Sequence, residues 1–295
     1  MIDVSVIVPC YKSHNCIRNQ IAKWDFLDDG LNKEIIYVDD ACPFRSHEVI
    51  AEAWRERTEQ IDKTIVTHDT NEGFGRACNT GASRATGQYL LFLNADVVPT
   101  TNWIRPMYDC FHDGVGMVGG IQLNRDGTIE SCGSEWCWQT MSFMHVGRDV
   151  YRKRKLWTPF RAASMPPDLL RHREAEMVNA ACVMIPKTLF DKIGGFDTRY
   201  KIGYWEDADM NMQIRACGYK IIYTPKSVVF HDVAHTGSAD HEFVRDNKDL
   251  FVRRWVDTGV LPRYPTFPKF FYFKSSNHGE GEGDRPPSGQ KVEPV

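Results

Sequence analysis

NEGFGRACNTGASRATGQYLLFLNADVVP, residues 71–99, is the stretch on which the fold turns. Gly75 to Ala85 have helical spacing, and the pattern halts at Gly87, the residue type that ends a helix at least cost. Tyr89-Leu90-Leu91-Phe92-Leu93 then runs apolar with no polar alternation, which predicts a strand covered on both faces. Asn94-Ala95-Asp96 follow at its carboxyl end, and alternation puts Asn94 and Asp96 on the same side.

Toward the N-terminus the same pattern repeats. Val4 to Val8 end at Pro9, Ile35-Ile36-Tyr37-Val38 end at Asp39, and Ile65-Val66 mark a third short strand. Between them, Ile17, Ile21 and Trp24 mark a helix after a Ser13 cap, and Val49, Ile50, Ala53 and Trp54 form a second helical face. Near-continuous apolar strands separated by helices predict an α/β domain whose central sheet is mixed, mostly parallel, with helices on both faces. Ligands of such sheets bind beyond the carboxyl ends of the strands, so the polar residues just after each strand are the candidates.

Toward the C-terminus the reading predicts a helix around Trp103 to Phe111, strands at Met117-Val118 and Ile121-Gln122-Leu123, then an irregular stretch. A basic run, 148–155, opens an irregular insertion over 148–175. Met177 to Ile185 reads as a strand, followed by a short helix through Phe190 and Ile193 and a Gly194-Gly195-Phe196-Asp197 turn. A helix opens near Glu206-Asp207 and stops at Gly218; Ile221 to Tyr223 and Val228 to Phe230 are strands, the second ending at His231. The expected organisation is one folded domain over 1–274, including a C-terminal extension over 235–274. A tail over 275–295, rich in Gly, Glu, Pro and Ser, reads as disordered.

Composition narrows the function. Lys plus Arg number 36 against 39 Asp plus Glu, a net charge of −3 that gives no general electrostatic reason to bind nucleic acid. No signal-peptide pattern opens the chain, and no apolar run approaches the ~20 residues of a spanning helix. Nine scattered cysteines with no C-x-x-C pair read as reduced, packed thiols. The expectation is a cytoplasmic protein, soluble or peripherally membrane-associated.

Each candidate has a plain structural reading beside the chemical one. Asp39 and Asp40 can accept hydrogen bonds from a base or ribose, or simply form a turn. Asn94 and Asp96 can face Mg²⁺ or Mn²⁺, which takes one or two carboxylates plus phosphate oxygens, or lie in a solvated turn. Glu206, Asp207 and Asp209 can complement a helix dipole, or one of them can be a general base. His231 can be structural, or a neutral imidazole ligand in the crevice of Asp96. No G-x-x-x-x-G-K-[ST] occurs, and Gly73-Phe74-Gly75 lacks the third glycine of a dinucleotide fingerprint, though Gly75 and Arg76 can touch a phosphate at a helix start.

Taken in order, VSVIVPCY (4–11), EIIYVDDA (34–41), residues 71–99, VNAACVMIPKTLFDKIGGFD (178–197) and YWEDADMNMQIRACGYKIIYTPKSVVFH (204–231) resemble the inverting family-2 glycosyltransferases of the GT-A fold. The resemblance covers most of the chain from residue 3 to 231. It implies that Pro9, Tyr11 and Asp39 line the nucleotide base and ribose, and that Asn71, Gly73, Arg76 and Asn79 lie along the donor. It implies a divalent cation, Mn²⁺ or Mg²⁺, held by Asp96 and His231 with help from Asn94. Asp207 matches the family's general base, with Glu206 beside it, while Trp205 and the turn of Gly195, Phe196 and Asp197 border the acceptor.

The implied reaction is single displacement with inversion, moving one sugar from a nucleotide-diphosphate sugar to a hydroxyl of a glycan, glycolipid or glycoprotein. Asn94 stands where many members have the first Asp of Asp-x-Asp, and VDDACP lacks a Ser-Thr after its aspartate. Val252-Arg253-Arg254-Trp255 lacks the leading Gln of the processive synthases' Gln-x-x-Arg-Trp, which favours transfer of a single sugar. Two rivals stand beside this reading: a non-catalytic nucleotide-sugar-binding protein, which would need no base, and a sugar nucleotidyltransferase, whose N-terminal phosphate loop is missing from residues 9–20. The basic run at 148–155 is either a solvated loop or a clamp on the donor diphosphate or an anionic acceptor. The aromatic cluster within 267–274 either touches a membrane interface or packs on the core.

Overall fold

Four strands, β1 (Val4–Cys10), β2 (Lys33–Asp39), β3 (Asp62–Thr67) and β4 (Tyr89–Leu93), lie in the order β3-β2-β1-β4, every pair parallel. This arrangement comes from a computed structural model that describes residues 1–24, 29–58, 61–148, 167–231 and 242–263. The crossovers are α1 (His14–Lys23), α2 (Ser46–Arg55) and α3 (Phe74–Arg84). Successive strand side chains point to opposite faces. Val6, Val8, Leu91 and Leu93 therefore pack under Ile17 and Ile21 of α1 and Ile50 and Trp54 of α2. Ile7, Ile36, Val38 and Phe92 pack under Ala77, Cys78 and Ala82 of α3 on the other face. Each large side chain so buried contributes roughly 1.5–3 kcal/mol. Gly81 lets α3 come close, since a Cβ there would stand 2.4 Å from Ile7 Cγ2.

The second half adds β5 (Val97–Pro99), α4 (Arg105–Tyr108), β6 (Val115–Leu123), β7 (Ile129–Cys137), β8 (Ser142–Gly147) and β9 (Arg173–Ala175). β10 (Cys182–Pro186), α5 (Lys187–Ile193), α6 (Glu206–Ala216), β11 (Lys220–His231) and α7 (Glu242–Phe251) follow, with a π-helical turn at Val252–Val256. The sheet continues β4-β10-β6-β11-β5; β10 and β5 run against their neighbours, while β6 and β11 are parallel. Six of the eight strands along this path therefore point one way, as expected of a mostly parallel sheet. α5 and α6 share the face of α3, and α4 lies on the face of α1 and α2.

Several elements differ from expectation. The helix around 103–111 is only the four residues of α4, because beyond it the chain tightens into three-residue turns, with Cys110 N–H on the Met107 carbonyl. The strand expected from Met177 begins at Cys182; upstream, Met177 makes a single antiparallel bridge to Ser134, and the Asn211 side chain takes both the N–H and the C=O of Val178, at 3.0 Å each, so Val178 is buried without a strand partner. The strands expected at 117–118 and 121–123 are one, β6, and those at 221–223 and 228–230 are one, β11, with a register shift between Tyr223 and Val228. The irregular stretch after Leu123 is instead an antiparallel meander, β6-β7-β8. The basic run beyond Arg148, the aromatic cluster within 267–274 and the tail over 275–295 lie outside the described residues. Among the described residues no helix is long and apolar enough to cross a membrane.

Candidate active site

The chain leaves β4 at Leu93 and is back in the sheet as β5 by Val97, so Asn94, Ala95 and Asp96 form a tight turn at the carboxyl end of a buried strand. Gln20 of α1 braces this turn, its Nε2 donating to the carbonyls of Asn94 (2.8 Å) and Val97 (2.6 Å). β5 pairs antiparallel with the end of β11, His231 opposite Val97. That register brings His231 Nε2 to 3.4 Å from Asp96 Oδ1. Both residues are buried. His231 Nδ1 and Asn94 Oδ1 are buried too, and neither has a hydrogen-bond partner.

A second wall comes from the start of α6. Glu206 is buried and its Oε2 is unpartnered; burial first, then the charge of Asp207, pushes its pKa up to about 8. Asp207 is half-buried, accepting the N–H of Ala208 at 2.7 Å and that of Ala180 at 3.5 Å. Burial raises its pKa as well, and those backbone N–H groups oppose the rise. Asp209, the third acid, points elsewhere: it accepts hydrogen bonds from Tyr200 Oη, Gln213 Nε2, Arg254 Nη1 and Trp255 Nε1.

Between the two walls lies a cavity of about 590 Å³. Pro9 and Tyr11 from the end of β1, Asn71 and Gly73 ahead of α3, Asn94, Asp96 and His231, and Trp205, Glu206 and Asp207 all line it. Asp39 does not; Asp40 stands in the lining instead. The Asp39 carboxylate is occupied within its own loop, accepting from the N–H of Cys42 and from the N–H and Nδ1 of His47. Arg76 lines a second cavity of about 420 Å³, beside Asn71 and Lys201. Asn79 grips the backbone of Phe196, accepting its N–H at 2.9 Å and donating to its carbonyl at 2.8 Å. Phe196 itself is core, packed on Phe74, Phe92 and Phe190. Gly195 lies against Asn79, and Asp197 is bound by Arg199 and Arg254. This turn lies outside the lining and is bound to α3 behind the cavity.

A third wall was reached by sequence reasoning only at Arg148, the first residue of the basic run. Glu130 of β7, His145 of β8 and Arg148 also face the cavity. Arg148 Nη1 meets Glu130 Oε1 at 2.6 Å, and Ser134 Oγ lies 3.1 Å from His145 Nδ1. Burial first, then the charges of Arg148 and His231, pushes the His145 pKa down to about 3, so this imidazole is neutral at physiological pH. The signal that could have revealed the wall is Asp126-Gly127 between Leu123 and Ile129, a hairpin turn pair.

Among the described residues the lining holds five acids, Asp40, Asp96, Glu130, Glu206 and Asp207, and one guanidinium, that of Arg148, which pairs with Glu130. Among the described residues no three His, Cys, Asp or Glu side chains are grouped to hold a metal. The Asp96–His231 pair nevertheless suits two positions on one ion, since neighbouring ligands about 2.1 Å from Mg²⁺ at a right angle stand roughly 3 Å apart. The remaining positions would fall to water or to a ligand's own oxygens.

The glycosyl transferase family 2 model matches residues 5–165, more than half of the chain. The chain belongs to glycosyl transferase family 2. Similar proteins include a pre-mycofactocin glycosyltransferase of Mycobacterium tuberculosis, 23% identical over 78% of this family-2 chain and 43% of the relative. An N-acetylglucosaminyl-diphospho-decaprenol L-rhamnosyltransferase of the same species is 25% identical over 42% of this chain and 40% of its own length. The chain thus spans less than half of these curated relatives. Among solved structures, GalNAc-T7 with UDP, GalNAc and Mn²⁺ superposes with a TM-score of 0.64 at 17% identity, over 90% of this chain and 52% of that one. A Pyrobaculum calidifontis mannosyltransferase with GDP-Man and Mn²⁺ gives 0.59 at 19% identity, over 91% and 66%. The fold of this family-2 chain is GT-A.

Proposed function

We propose that this family-2 chain is a metal-dependent, inverting glycosyltransferase that moves one sugar from a nucleotide-diphosphate sugar to a hydroxyl of a glycan, glycolipid or glycoprotein. The observation that carries the reading is the pairing of Asp96–His231 on one wall with Glu206–Asp207 on the other wall of one acid-lined cavity. A diphosphate carries two or more negative charges and, among the described residues, meets a mostly acidic lining, which favours a cation entering with it. Asp96 and His231 would hold that cation, and Mn²⁺ or Mg²⁺ supplies positive charge to offset what builds on the departing diphosphate.

The protein's own groups do the rest. Pro9 and Tyr11 offer surface for the base, with Asn71 and Gly73 further along the donor. Asp207 takes the proton of the acceptor hydroxyl as the oxygen attacks the anomeric carbon from the face opposite the leaving group. Trp205 beside it offers an aromatic face for the acceptor sugar. A single displacement needs one base and no covalent intermediate, and the site offers one partly open carboxylate on that wall. The rhamnosyltransferase relative, named for an N-acetylglucosaminyl-diphospho-decaprenol substrate, supports a lipid-carried acceptor.

Titration calorimetry with UDP, GDP and dTDP, each with Mn²⁺ and then with EDTA, tests the donor half. One nucleotide should bind in the presence of Mn²⁺ alone, and Asp96→Ala should give a flat titration. Binding that persists undiminished in EDTA would sink the metal assignment.

A further inference from the structure

The segment leading into the two acids is bent against its residue types. Ile202, Tyr204 and Trp205 have left-handed backbones, with φ of 58°, 73° and 76°. Branched and aromatic residues rarely adopt that region, and they stay there only where the surroundings over-determine them. Chain on either side supplies part of the hold. The Ile202 carbonyl accepts Phe74 N–H at 2.7 Å where α3 begins, over a Gly73 whose Cβ would collide with Ile202 backbone at 2.6 Å. Trp205 packs on Phe251 at 5.0 Å between ring centroids, and its carbonyl accepts Asp209 N–H at 2.9 Å.

One side chain on α7 supplies the centre. Asn247 is 1% exposed and lines neither cavity. Its Nδ2 donates to the carbonyls of Lys201 (2.9 Å), Gly203 (2.9 Å) and Tyr204 (3.1 Å), and its Oδ1 accepts Lys201 N–H at 2.9 Å. A single amide thus engages four backbone groups of the bend, its two Nδ2 hydrogens shared among three carbonyls.

We propose that Asn247 is a positioning residue for sugar transfer: by holding residues 201–204 in their left-handed path it fixes where α6 starts, and so aims Trp205 and Asp207 into the cavity. This rests on the transferase reading above. Because Asn247 acts on the acid wall and not on the Asp96–His231 wall, its loss separates turnover from nucleotide binding.

The test uses Asn247→Ala and Asn247→Asp. The aspartate keeps size and shape and can still accept Lys201 N–H, yet sets a carboxylate against three carbonyl oxygens. Hydrogen exchange over residues 201–209 is compared with that of β1 and β4, and nucleoside diphosphate is titrated with Mn²⁺. Release of nucleoside diphosphate from UDP-, GDP- and dTDP-sugars, with water as acceptor if no sugar is accepted, gives kcat and KM. Both variants should exchange faster over 201–209 alone, bind nucleotide as wild type does, and lose about ten- to a hundredfold in kcat, the aspartate the more so. An aspartate variant with wild-type exchange and kcat would overturn the proposal. So would binding and kcat falling together with a lower melting point, which marks a general structural role. Wild-type protein that binds no nucleotide defeats the transferase reading and the catalytic half with it, while exchange still decides whether Asn247 holds the bend.

Discussion

Glu206 and Asp207 are chain neighbours with different surroundings. Asp207 is partly open and Glu206 is buried with an unpartnered oxygen, so Asp207 is the one placed to meet an acceptor hydroxyl. A base must be deprotonated, and burial raises the Asp207 pKa. The transfer rate should therefore climb with pH along a limb that lies above the ordinary carboxylate range, measured as kcat/KM against pH. Asp207→Asn should cost at least about a hundredfold in kcat while Mn²⁺-dependent nucleotide binding persists. Glu206 affects stability with the opposite sign to a salt-bridged acid. Unfolded, it releases its proton near the ordinary carboxylate value of 4.5; folded, it keeps it to about 8. Between those values the unfolded chain binds fewer protons, so stability falls as pH rises through that window. Glu206→Gln removes the penalty, and its melting temperature relative to wild type should be roughly 2–4 °C better at pH 8.5 than at pH 5.

At the scale of elements, Asp209 ties α6 to the π-helical turn at Val252–Val256. It is fully buried and binds Arg254 and Trp255 together. Asp209→Ala leaves Arg254 its second partner, Asp197, but takes the acceptor from the buried Tyr200 Oη and Trp255 Nε1, so it should cost at least about 1–3 kcal/mol in urea unfolding. A double-mutant cycle with Arg254→Ala should show strong coupling between the two sites. Sequence pattern reached the elements unevenly, for physical reasons. β1, β2 and β4 are buried on both faces and so read as apolar runs. β7 is nearly as buried, but Glu130, Ser131, Ser134 and Glu135 sit inside it, and Glu130 faces the polar cavity. A strand that lines a polar site carries neither an apolar run nor a clean alternation, which is why Glu130 and His145 escaped notice while Arg148 was reached only as the first residue of the basic run. Asn94, Asp96, Glu206, Asp207 and His231 were legible because each stands at the end of a strand or the start of a helix that the apolar pattern had located. Asp39 and Phe196 were placed by family resemblance; their local bonding and packing emerge only when the loop and the core are seen whole.

At the scale of the molecule, the two halves of the sheet are different objects. In the parallel half β1, β2 and β3 close by local βαβ steps, and β4 then returns to pair with β1. The other half is stitched by strands drawn from distant positions, and the contact of Asp96 with His231 depends on it, because β5 meets β11 across more than a hundred residues of chain. Pairings of such separation form slowly, after the loop entropy between them has been overcome. At the proposed Asp96–His231 site, cation affinity would therefore be an index of completed folding. During refolding from urea, helical signal should return before Mn²⁺-dependent nucleotide binding, which a stopped-flow comparison of circular dichroism with a fluorescent nucleotide would resolve; simultaneous recovery would contradict it. A nascent chain that has emerged only as far as β10 would have its leading strands but no His231 beside Asp96, so the proposed metal-bound donor would be engaged only once β11 has slotted between β6 and β5.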